Sequence, residues 1–534
     1  MSRPNIILIT ADQWRGDCLG AVGHPTIRTP NLDALAADSV LFRNHYCTTA
    51  PCSPARASLY TGLYQMNHRV VQNGAPLADG LDTLAKAGRR AGYRPTLFGY
   101  TDTALDPRVL APDDPALTTY ENVLPGMDVR QLLLEDDKAW VSWLKKRGHD
   151  IETRFDAHTP PMEPGERVSM LPPCYGADET PTAFLLEKME DWLDEQQGED
   201  APFFAHLSFI RPHPPFVVPE PYNSMYDGSL DSEGDDSEGD DLEVDGAGHN
   251  STPGFARHAS PTAEAASHPF AELMMAHNRL SSFLTYDEEG NPNPDGLVRD
   301  LSAHDVSRIR ALYYGMISEV DAAIGRLIAS LKARGLWENT VFIFTSDHAE
   351  MMGDHWQLGK GGFHAQSYHI PLMIRTPDGG RGETVSAFTS SADIFPTLLE
   401  IFGEEATNAL DGTSLMEHVC GNPVSGWRDA AFYEFDFRAQ RSTRADLKAR
   451  LRQEECSLAV LRDETFHYVH IPGFAALLFD LQKDPRCLVN VAEEEAYLRT
   501  RLIYAEKLLD LRARHMDETL ARYVMTPDGA IITD

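Results

Sequence analysis

The chain has 534 residues, of which 42% are hydrophobic and 9% aromatic, and a chain of this length exceeds the size of a single hydrophobic core, so we expect two domains. The 47 Lys and Arg residues stand against 81 Asp and Glu, a net charge of −34. This charge disfavours partners such as nucleic acid and anionic membranes, and an anionic substrate would need a locally positive or metal-bearing pocket.

The N-terminal segment MSRPNIILITADQW has a short apolar run and no small-residue cleavage site, which predicts a first strand rather than a signal peptide. No segment offers the roughly 20 continuous apolar residues of a membrane span. The seven cysteines are scattered, odd in number and form no CxxC pair. This pattern is typical of a reduced, cytoplasmic protein without a disulfide framework.

Four short apolar runs are each followed by polar side chains capable of chemistry. The runs are NIILIT, TLFGY, FFAHLSF and VFIFTS, and the residues that follow are Asp12 and Gln13, Thr101 and Asp102, Arg211 and His213, and Asp347 and His348. Such runs predict strands buried on both faces, and an amphipathic helix is predicted over Met316–Arg334. The pattern predicts an α/β fold, a doubly wound and mostly parallel sheet flanked by helices, with all four polar clusters meeting at one edge.

Two further stretches set the predicted organisation. Residues 227–246 form an acidic, low-complexity tract with a repeated DSEGD, which we interpret as a solvated surface insertion because the spacing of a calcium loop is absent. After about Gly426, the runs AAFYEFDF, SLAVLRDETFHYVHI and ALLFDL predict short antiparallel strands, and a closing helix is predicted over Glu493–Arg514. We therefore predict a catalytic domain over 1–426 and a smaller α+β domain over 427–534. The apolar C-terminal tail packs either on its own chain or on a neighbouring subunit, and we expect a homo-oligomer, a dimer or tetramer.

Asp12, Gln13, Asp347 and His348 form two adjacent pairs of possible ligands, each just past a predicted strand. Oxygen-rich sites with one imidazole suit a hard or borderline divalent cation such as Ca²⁺, Mg²⁺ or Mn²⁺. One acid after a strand is more often a turn residue or helix cap. Two pairs that are far apart in the chain, both at strand ends, favour the metal site.

Cys52 lies in the segment TTAPCSPARASLYTG. Most free cysteines are simply buried apolar residues. Here, Pro54 and the residues after it predict a helix that begins just past Cys52. The N-terminus of that helix would stabilise negative charge at Cys52, and Arg56 would add a fixed cation. These surroundings favour a reactive group that faces an anionic substrate.

The motif CSPAR fits the C-x-P-x-R signature, and the chain resembles the sulfatases of the alkaline phosphatase superfamily. The resemblance covers most of the chain and extends over the segments RPNIILITADQ, TPNLDALAADSVLFRNHY, VFIFTSDHAEMMGDH, LGKGGFH and ADIFPTLLEIFG. It implies that Cys52 is oxidised to formylglycine by a maturation enzyme, which would be a partner of this chain. It also implies one divalent metal ion, with Ca²⁺ the first expectation and Mn²⁺ or another divalent ion the next.

Within the family, the chain resembles the branch of phosphonate monoester hydrolases and their arylsulfatase relatives, because it has Asp12–Gln13 in place of Asp-Asp and GYTDTALDPR in place of a Lys-Trp-His segment. By this resemblance, the metal ligands are Asp12, Gln13, Asp347, His348 and the modified Cys52. The catalytic residues are Cys52, Arg56, His213 and Lys360, of which His213 or Lys360 would protonate the leaving alcohol. Asn73, Tyr100 and Asp102 would contact the substrate, Asp102 standing where this branch often has Thr.

The leading functional expectation is a metal-dependent formylglycine hydrolase that cleaves sulfate esters, an arylsulfatase with added activity toward phosphonate monoesters and phosphate diesters. A first alternative reverses that order and makes the protein a phosphonate monoester hydrolase or phosphodiesterase. A two-zinc phosphatase would need a second set of Asp and His ligands, which the sequence does not provide in full. An inactive metal-binding scaffold is the alternative in which Cys52 remains a thiol.

Overall fold

The computed structural model describes residues 3–196, 201–226, 255–277, 301–516, 523–527 and 529–532. The acidic tract 227–246, predicted as a surface insertion, lies outside the described residues. Among the helices that are described, none combines the length and the apolar character needed to cross a membrane.

A central sheet of eight strands organises the larger part of the chain. Its strands are β1 (Asn5–Ala11), β2 (Val40–Tyr46), β3 (Pro95–Gly99), β4 (Asp128–Leu132), β5 (Phe204–Phe209), β6 (Thr340–Thr345), β7 (Leu372–Arg375) and β8 (Glu383–Ser390). Their order is β4-β3-β5-β1-β6-β7-β2-β8. Only β7 runs antiparallel to its neighbours, β6 and β2. The predicted mostly parallel α/β sheet is confirmed.

The four apolar runs that the sequence marks as strands lie next to one another as β3, β5, β1 and β6. Every residue of these strands is buried. In β1, Ile7 and Ile9 pack into the core on one face, and Ile6 and Leu8 pack into the core on the other. Since all four strands are parallel, their carboxyl ends meet at the same edge and carry the polar residues there.

Helices cover both faces of this sheet. One face carries α1 (Pro30–Ala37), α7 (Pro181–Glu195) and α10 (Ala303–Ala333), and the other carries α2 (Cys52–Thr61), α4 (Leu84–Arg90) and α11 (Ile394–Phe402). The shorter helices are α3 (Gln65–His68), α5 (Lys138–Lys146), α6 (Arg154–His158), α8 (Pro261–Ser267), α9 (Pro269–His277) and α12 (Met416–Val419). This double covering explains why the strands read as continuous apolar runs.

Helix α10 is longer than its predicted range, because it begins at Ala303 rather than at Met316. Ser302 and Asp305 form a capping box, in which the Ser302 hydroxyl accepts from the amide of Asp305 at 3.1 Å and the Asp305 carboxylate accepts from the amide of Ser302 at 2.8 Å. The predicted apolar face is buried. The missed start was therefore encoded by the cap and not by the apolar periodicity.

The C-terminal region forms a second, antiparallel sheet, as predicted. Its strands are β9 (Ala431–Asp436), β10 (Ser457–Arg462), β11 (Phe466–His470) and β12 (Leu477–Asp480), in the order β12-β11-β10-β9. Helices α13 (Arg438–Thr443), α14 (Ala445–Arg450) and α15 (Leu498–Arg514) accompany it, so the closing helix begins five residues later than predicted. The tail forms a hairpin of β13 (Tyr523–Thr526) and β14 (Gly529–Ile532).

A buried carboxylate ties this C-terminal region to the larger sheet. Asp393, at the start of α11, accepts two hydrogen bonds from the guanidinium of Arg428 at 2.7 and 2.8 Å. It also accepts from the backbone amides of Ser390 and Thr413. Asp393 is fully buried, and Arg428 is its counter-ion.

We predict that Arg428→Met lowers the unfolding free energy by about 3 kcal/mol, because it leaves a buried carboxylate without its counter-ion. Denaturant unfolding of the variant and the wild type measures the change. Arg444→Met is the matched control, because its partner Asp446 is exposed and surface ion pairs contribute about 0–1 kcal/mol. Equal effects of the two substitutions would contradict the prediction.

Candidate active site

Four buried side chains meet at the carboxyl edge of the central sheet. They are Asp12 after β1, Cys52 at the first position of α2, and Asp347 and His348 after β6. One ligand atom of each lies within 4.8 Å of the ligand atoms of the other three. We call these four residues the Asp12 cluster. The predicted convergence of separate strand ends is therefore present in the structure.

The donors of the Asp12 cluster suit a divalent cation. The Cys52 Sγ lies 3.2 Å from His348 Nε2, which in turn lies 3.7 Å from Asp12 Oδ1 and 3.8 Å from Asp347 Oδ2. Asp12 Oδ1 is buried without a hydrogen-bond partner among the described residues. Burial lowers the pKa of His348 to about 4, so the imidazole is neutral, as a metal ligand must be. Two carboxylates and a neutral imidazole fit such an ion.

Arg56 neutralises the two carboxylates of the cluster. Its Nε donates to Asp347 Oδ2 at 2.9 Å, and its Nη2 donates to Asp12 Oδ2 at 3.3 Å. Nη1 donates to the hydroxyl of Ser208 at 2.9 Å and to the carbonyl of Tyr100 at 3.3 Å. Arg56 was predicted to stabilise the transferred group, and the structure places its guanidinium against the carboxylates that flank residue 52.

Cys52 is a poor nucleophile as a thiol. Burial raises its pKa well above the usual value, and the charges of Asp12, Asp347 and Asp102 raise it further, while Lys360 opposes them. A thiol reacts as the thiolate, so the position of Cys52 at a helix N-terminus does not by itself activate it here. The predicted stabilisation of negative charge at this sulfur is outweighed by burial and by the neighbouring carboxylates.

Lys360 is held next to the cluster by Gln13 and Glu350. Its Nζ donates to Gln13 Oε1 at 2.7 Å, and Gln13 Nε2 donates to the carboxylate of Glu350. Burial disfavours the charged lysine, but the neighbouring Cys52 and the carboxylates of Asp12 and Asp347 raise its pKa overall. The side-chain oxygen that was predicted to bind a metal is thus the acceptor of Lys360 in this structure.

Two predicted substrate-binding residues contact the cluster or the helix that carries Cys52. The hydroxyl of Tyr100 donates to Asp12 Oδ2, and the ring of Tyr100 lies 4.2 Å from the guanidinium carbon of Arg56. Asn73 Oδ1 accepts from the backbone amide of Ser53 at 3.0 Å. Because the N-cap residue of α2 is Pro51 and offers no side-chain acceptor, Asn73 satisfies one of the free amides at this helix end.

Asp102 is a buried acid without a counter-ion contact. Neither carboxylate oxygen has a hydrogen-bond partner among the described residues, and its φ of 48° lies in the left-handed region. Burial raises the pKa of Asp102 to about 8, with Asp12 and Glu135 adding to the shift and Arg56 opposing it. A carboxyl in this state is protonated near neutral pH and able to donate a hydrogen bond.

His213 lines a cavity and interacts electrostatically with Asp12 of the cluster. Its Nδ1 lies 2.8 Å from the carbonyl of Pro214, which makes Nδ1 the donor and leaves Nε2 for another partner. Burial and Lys360 lower the pKa of His213, while Asp12 and Glu135 act in the opposite direction. The other polar side chains that line this cavity are Glu135, Asp137, Arg154, His158 and Arg211.

Sequence reasoning missed three residues of this site. Glu350 binds the amide of Gln13, Ser208 accepts from Arg56, and Glu135 acts on both His213 and Asp102. Glu350 follows the Asp347–His348 pair by two residues, and Ser208 lies in a strand whose end was already marked, so both had a positional signal. Glu135 lies in a loop before α5 and had none.

Comparison with known protein families identifies the family to which the chain belongs. Residues 4–404 match the family model for sulfatases, and residues 353–514 match the model for the C-terminal part of N-sulphoglucosamine sulphohydrolase. The multifunctional alkaline phosphatase superfamily protein PehA of Trinickia caryophylli is 38% identical over 542 residues, with 99% of each chain covered. An arylsulfatase of Clostridium perfringens is 28% identical, with 95% of this chain and 94% of that protein covered.

Two solved structures match over the whole length. The phosphonate monoester hydrolase of Agrobacterium radiobacter is 52% identical with a TM-score of 0.88, and all of both chains is covered. The phosphonate monoester hydrolase of Silicibacter pomeroyi is 35% identical with a TM-score of 0.85, covering 100% of this chain and 99% of that one. The resemblance carried by CSPAR is confirmed, and the chain belongs to the sulfatase family of the alkaline phosphatase superfamily.

Proposed function

We propose that this sulfatase-family hydrolase acts mainly on phosphonate monoesters and phosphate diesters, and on sulfate esters as a second class of substrate. This reverses the order expected from the sequence. The 52% identity to a phosphonate monoester hydrolase over the full chain supports the first class, and the 28% identity to an arylsulfatase supports the second. All three substrates present a tetrahedral centre with a single negative charge, so one site serves them all.

The observation that carries the proposal is the Asp12 cluster around residue 52. The ligand atoms of Asp12, Asp347, His348 and Cys52 all lie within 4.8 Å of one another, and Arg56 contacts both carboxylates. Together with residue 52 they would hold a divalent cation, Ca²⁺ or Mn²⁺. When bound, such an ion neutralises charge on the transferred group and lowers the pKa of a hydroxyl beside it.

We also propose that Cys52 matures to formylglycine, through a maturation enzyme that would be a partner of this chain and would supply a two-electron oxidant. In this step the carbon–sulfur bond breaks, the sulfur leaves as sulfide and an oxygen atom replaces it on the carbon. The thiol in the structure stands where the hydrated aldehyde would be, and the raised pKa of this thiol supports the view that sulfur is not the working nucleophile. A hydrated aldehyde supplies one hydroxyl to attack phosphorus or sulfur and a second whose proton loss releases the product.

Two further side chains would have separate roles in the reaction, Lys360 in stabilising charge and His213 in proton transfer. Lys360 carries a positive charge, fixed by Gln13, at the edge of the cluster, and there it would stabilise the non-bridging oxygens of the ester. His213 offers Nε2 from the cavity wall, because Nδ1 is occupied by the carbonyl of Pro214. We assign the leaving alcohol to this cavity and its proton transfer to His213. Arg56 acts as a positioning residue.

Parallel kinetics test the order of substrates. On one preparation, we expect kcat/KM for an aryl phosphonate monoester to exceed that for the aryl sulfate with the same leaving group by at least about tenfold, or about 1.4 kcal/mol of transition-state stabilisation. Using the same leaving alcohol keeps the contribution of the cavity constant. A higher kcat/KM for the sulfate would overturn the order, while the absence of both activities would overturn the function.

A second prediction concerns the chemical state of residue 52. We expect the peptide that spans Cys52, in active protein, to have lost one sulfur and two hydrogens and gained one oxygen relative to the encoded sequence. Intact peptide mass spectrometry checks this directly. Cys47 is a suitable internal control, because it is also buried and free and lies outside the motif. An unmodified thiol at residue 52 in fully active protein contradicts the proposed nucleophile.

A third prediction follows from the raised pKa of Asp102, about 8. Below this pH the carboxyl is neutral, and above it the carboxylate repels an anionic ester. We therefore expect KM to rise as the pH increases through about 8 in the wild type, and to stay level in Asp102→Asn, which remains neutral. Steady-state kinetics from about pH 6 to 10 measure this. Identical KM profiles for the two proteins would show that Asp102 does not face the substrate.

A further inference from the structure

A second cluster of metal-ligating side chains lies outside the Asp12 cluster. Glu264 of α8, His355 and His364 each offer one ligand atom, and these atoms lie within 4.8 Å of one another. All three residues are buried, with exposed fractions of 2%, 0% and 5%. His355 and His364 stand on either side of Lys360 in the chain. We call these three residues the Glu264 cluster.

The contacts within the Glu264 cluster orient His355 and leave one of its ring nitrogens free. His355 Nδ1 lies 3.0 Å from Glu264 Oε1, a hydrogen bond that makes Nε2 the nitrogen able to bind an ion. The rings of His355 and His364 stack with centroids 3.5 Å apart and planes at 13°. This is closer than the about 4.5–7 Å that is usual for ring pairs.

A purely structural role explains these contacts less well. A buried histidine that only supports the fold normally uses both ring nitrogens in hydrogen bonds. The Nε2 of His355 is buried and has no partner among the described residues. The hydrogen bond to Glu264 alone therefore leaves a polar atom unsatisfied in a region that already contains a stacked second imidazole.

We propose that Glu264, His355 and His364 bind a second divalent transition-metal ion, for which Zn²⁺ is the best fit. One carboxylate and two imidazoles are a common set of zinc ligands. His258 is the candidate for a fourth ligand, because its backbone amide donates to Glu264 at 2.9 Å and so places this residue beside the cluster.

Such an ion would have a positioning role for the reaction. It would tie α8 to the segment 355–364, which carries Lys360 to Gln13 and the Asp12 cluster. The geometry of Lys360 would then depend on an ion that never touches the substrate. The proposal is independent of the substrate order argued above, because it concerns ligands outside the reacting group.

Metal counting on the full chain tests the proposal. After loading with Zn²⁺ and removal of free ions, we expect two ions per wild-type chain by elemental mass spectrometry and one ion in His364→Gln. Asp347→Asn, which removes a ligand of the Asp12 cluster, should also retain one ion. His304→Gln is the matched control, because His304 is exposed, and it should retain two ions.

A second measurement covers the case in which His364→Gln does not fold. Co²⁺ bound to Asp347→Asn should show the visible absorption bands of a cobalt ion with nitrogen and oxygen ligands in low-symmetry coordination. In the Asp347→Asn background, added Zn²⁺ should raise the thermal midpoint of the single variant and of Asp347→Asn/His304→Gln, but not that of Asp347→Asn/Glu264→Gln. Equal ion counts in wild type and His364→Gln, or the absence of bound Co²⁺ in Asp347→Asn, would overturn the second site.

Discussion

The active site depends on one buried arginine between two buried aspartates. Asp12 and Asp347 come from different strands, and both would repel each other in a region that excludes water. Arg56 contacts both, at 3.3 and 2.9 Å, and it lies one helical turn after Cys52 on the same helix. The ion pairs therefore set the position of residue 52 relative to the strand ends. A charge balance of this kind is costly to break, because either carboxylate left alone would remain buried and uncompensated.

A second charged contact fixes Lys360 at the edge of the Asp12 cluster. Gln13 has a φ of 71°, and its amide oxygen and nitrogen bridge Lys360 and Glu350. Glu350 is fully buried, and burial raises its pKa to about 7. An amide serves here as an uncharged link between a cation and an acid. A carboxylate at residue 13 would strengthen the contact with Lys360 but repel Glu350, which gives a physical reason for glutamine at this position.

The same arrangement creates a locally positive site in a strongly acidic protein, as the proposed anionic esters would require. The net charge of −34 is a property of the whole surface, whereas the site concentrates Arg56 and Lys360 around residue 52. Asp102 adds no negative charge near neutral pH, because burial keeps it protonated. Burial therefore decides which acidic side chains of the site are ionised. The net charge of the whole chain says little about the electrostatic potential inside the site.

The sequence by itself determined the strands, their parallel arrangement and the family. Continuous apolar runs predict strands that are buried on both faces, and the polar residues after them indicate the edge of the sheet that carries the site. The sequence could therefore predict that Asp12, Asp347 and His348 lie together. The C-x-P-x-R motif identified Cys52 and Arg56, because these two residues lie close together in the sequence. The capping box of α10 was also readable, although periodicity alone placed the start of that helix too late.

Only the tertiary structure decided which side chains share charges and hydrogen bonds. It directs Arg56 to the carboxylates, binds Lys360 to Gln13, pairs Gln13 with Glu350, and brings Glu135 to the site from a loop without a motif. It also places Glu264 beside His355 and His364, which no spacing in the sequence suggests. These pairings depend on distances between residues that are far apart in the chain, and on the burial that shifts their pKa values. Neither quantity exists until the sheet and its helices have packed.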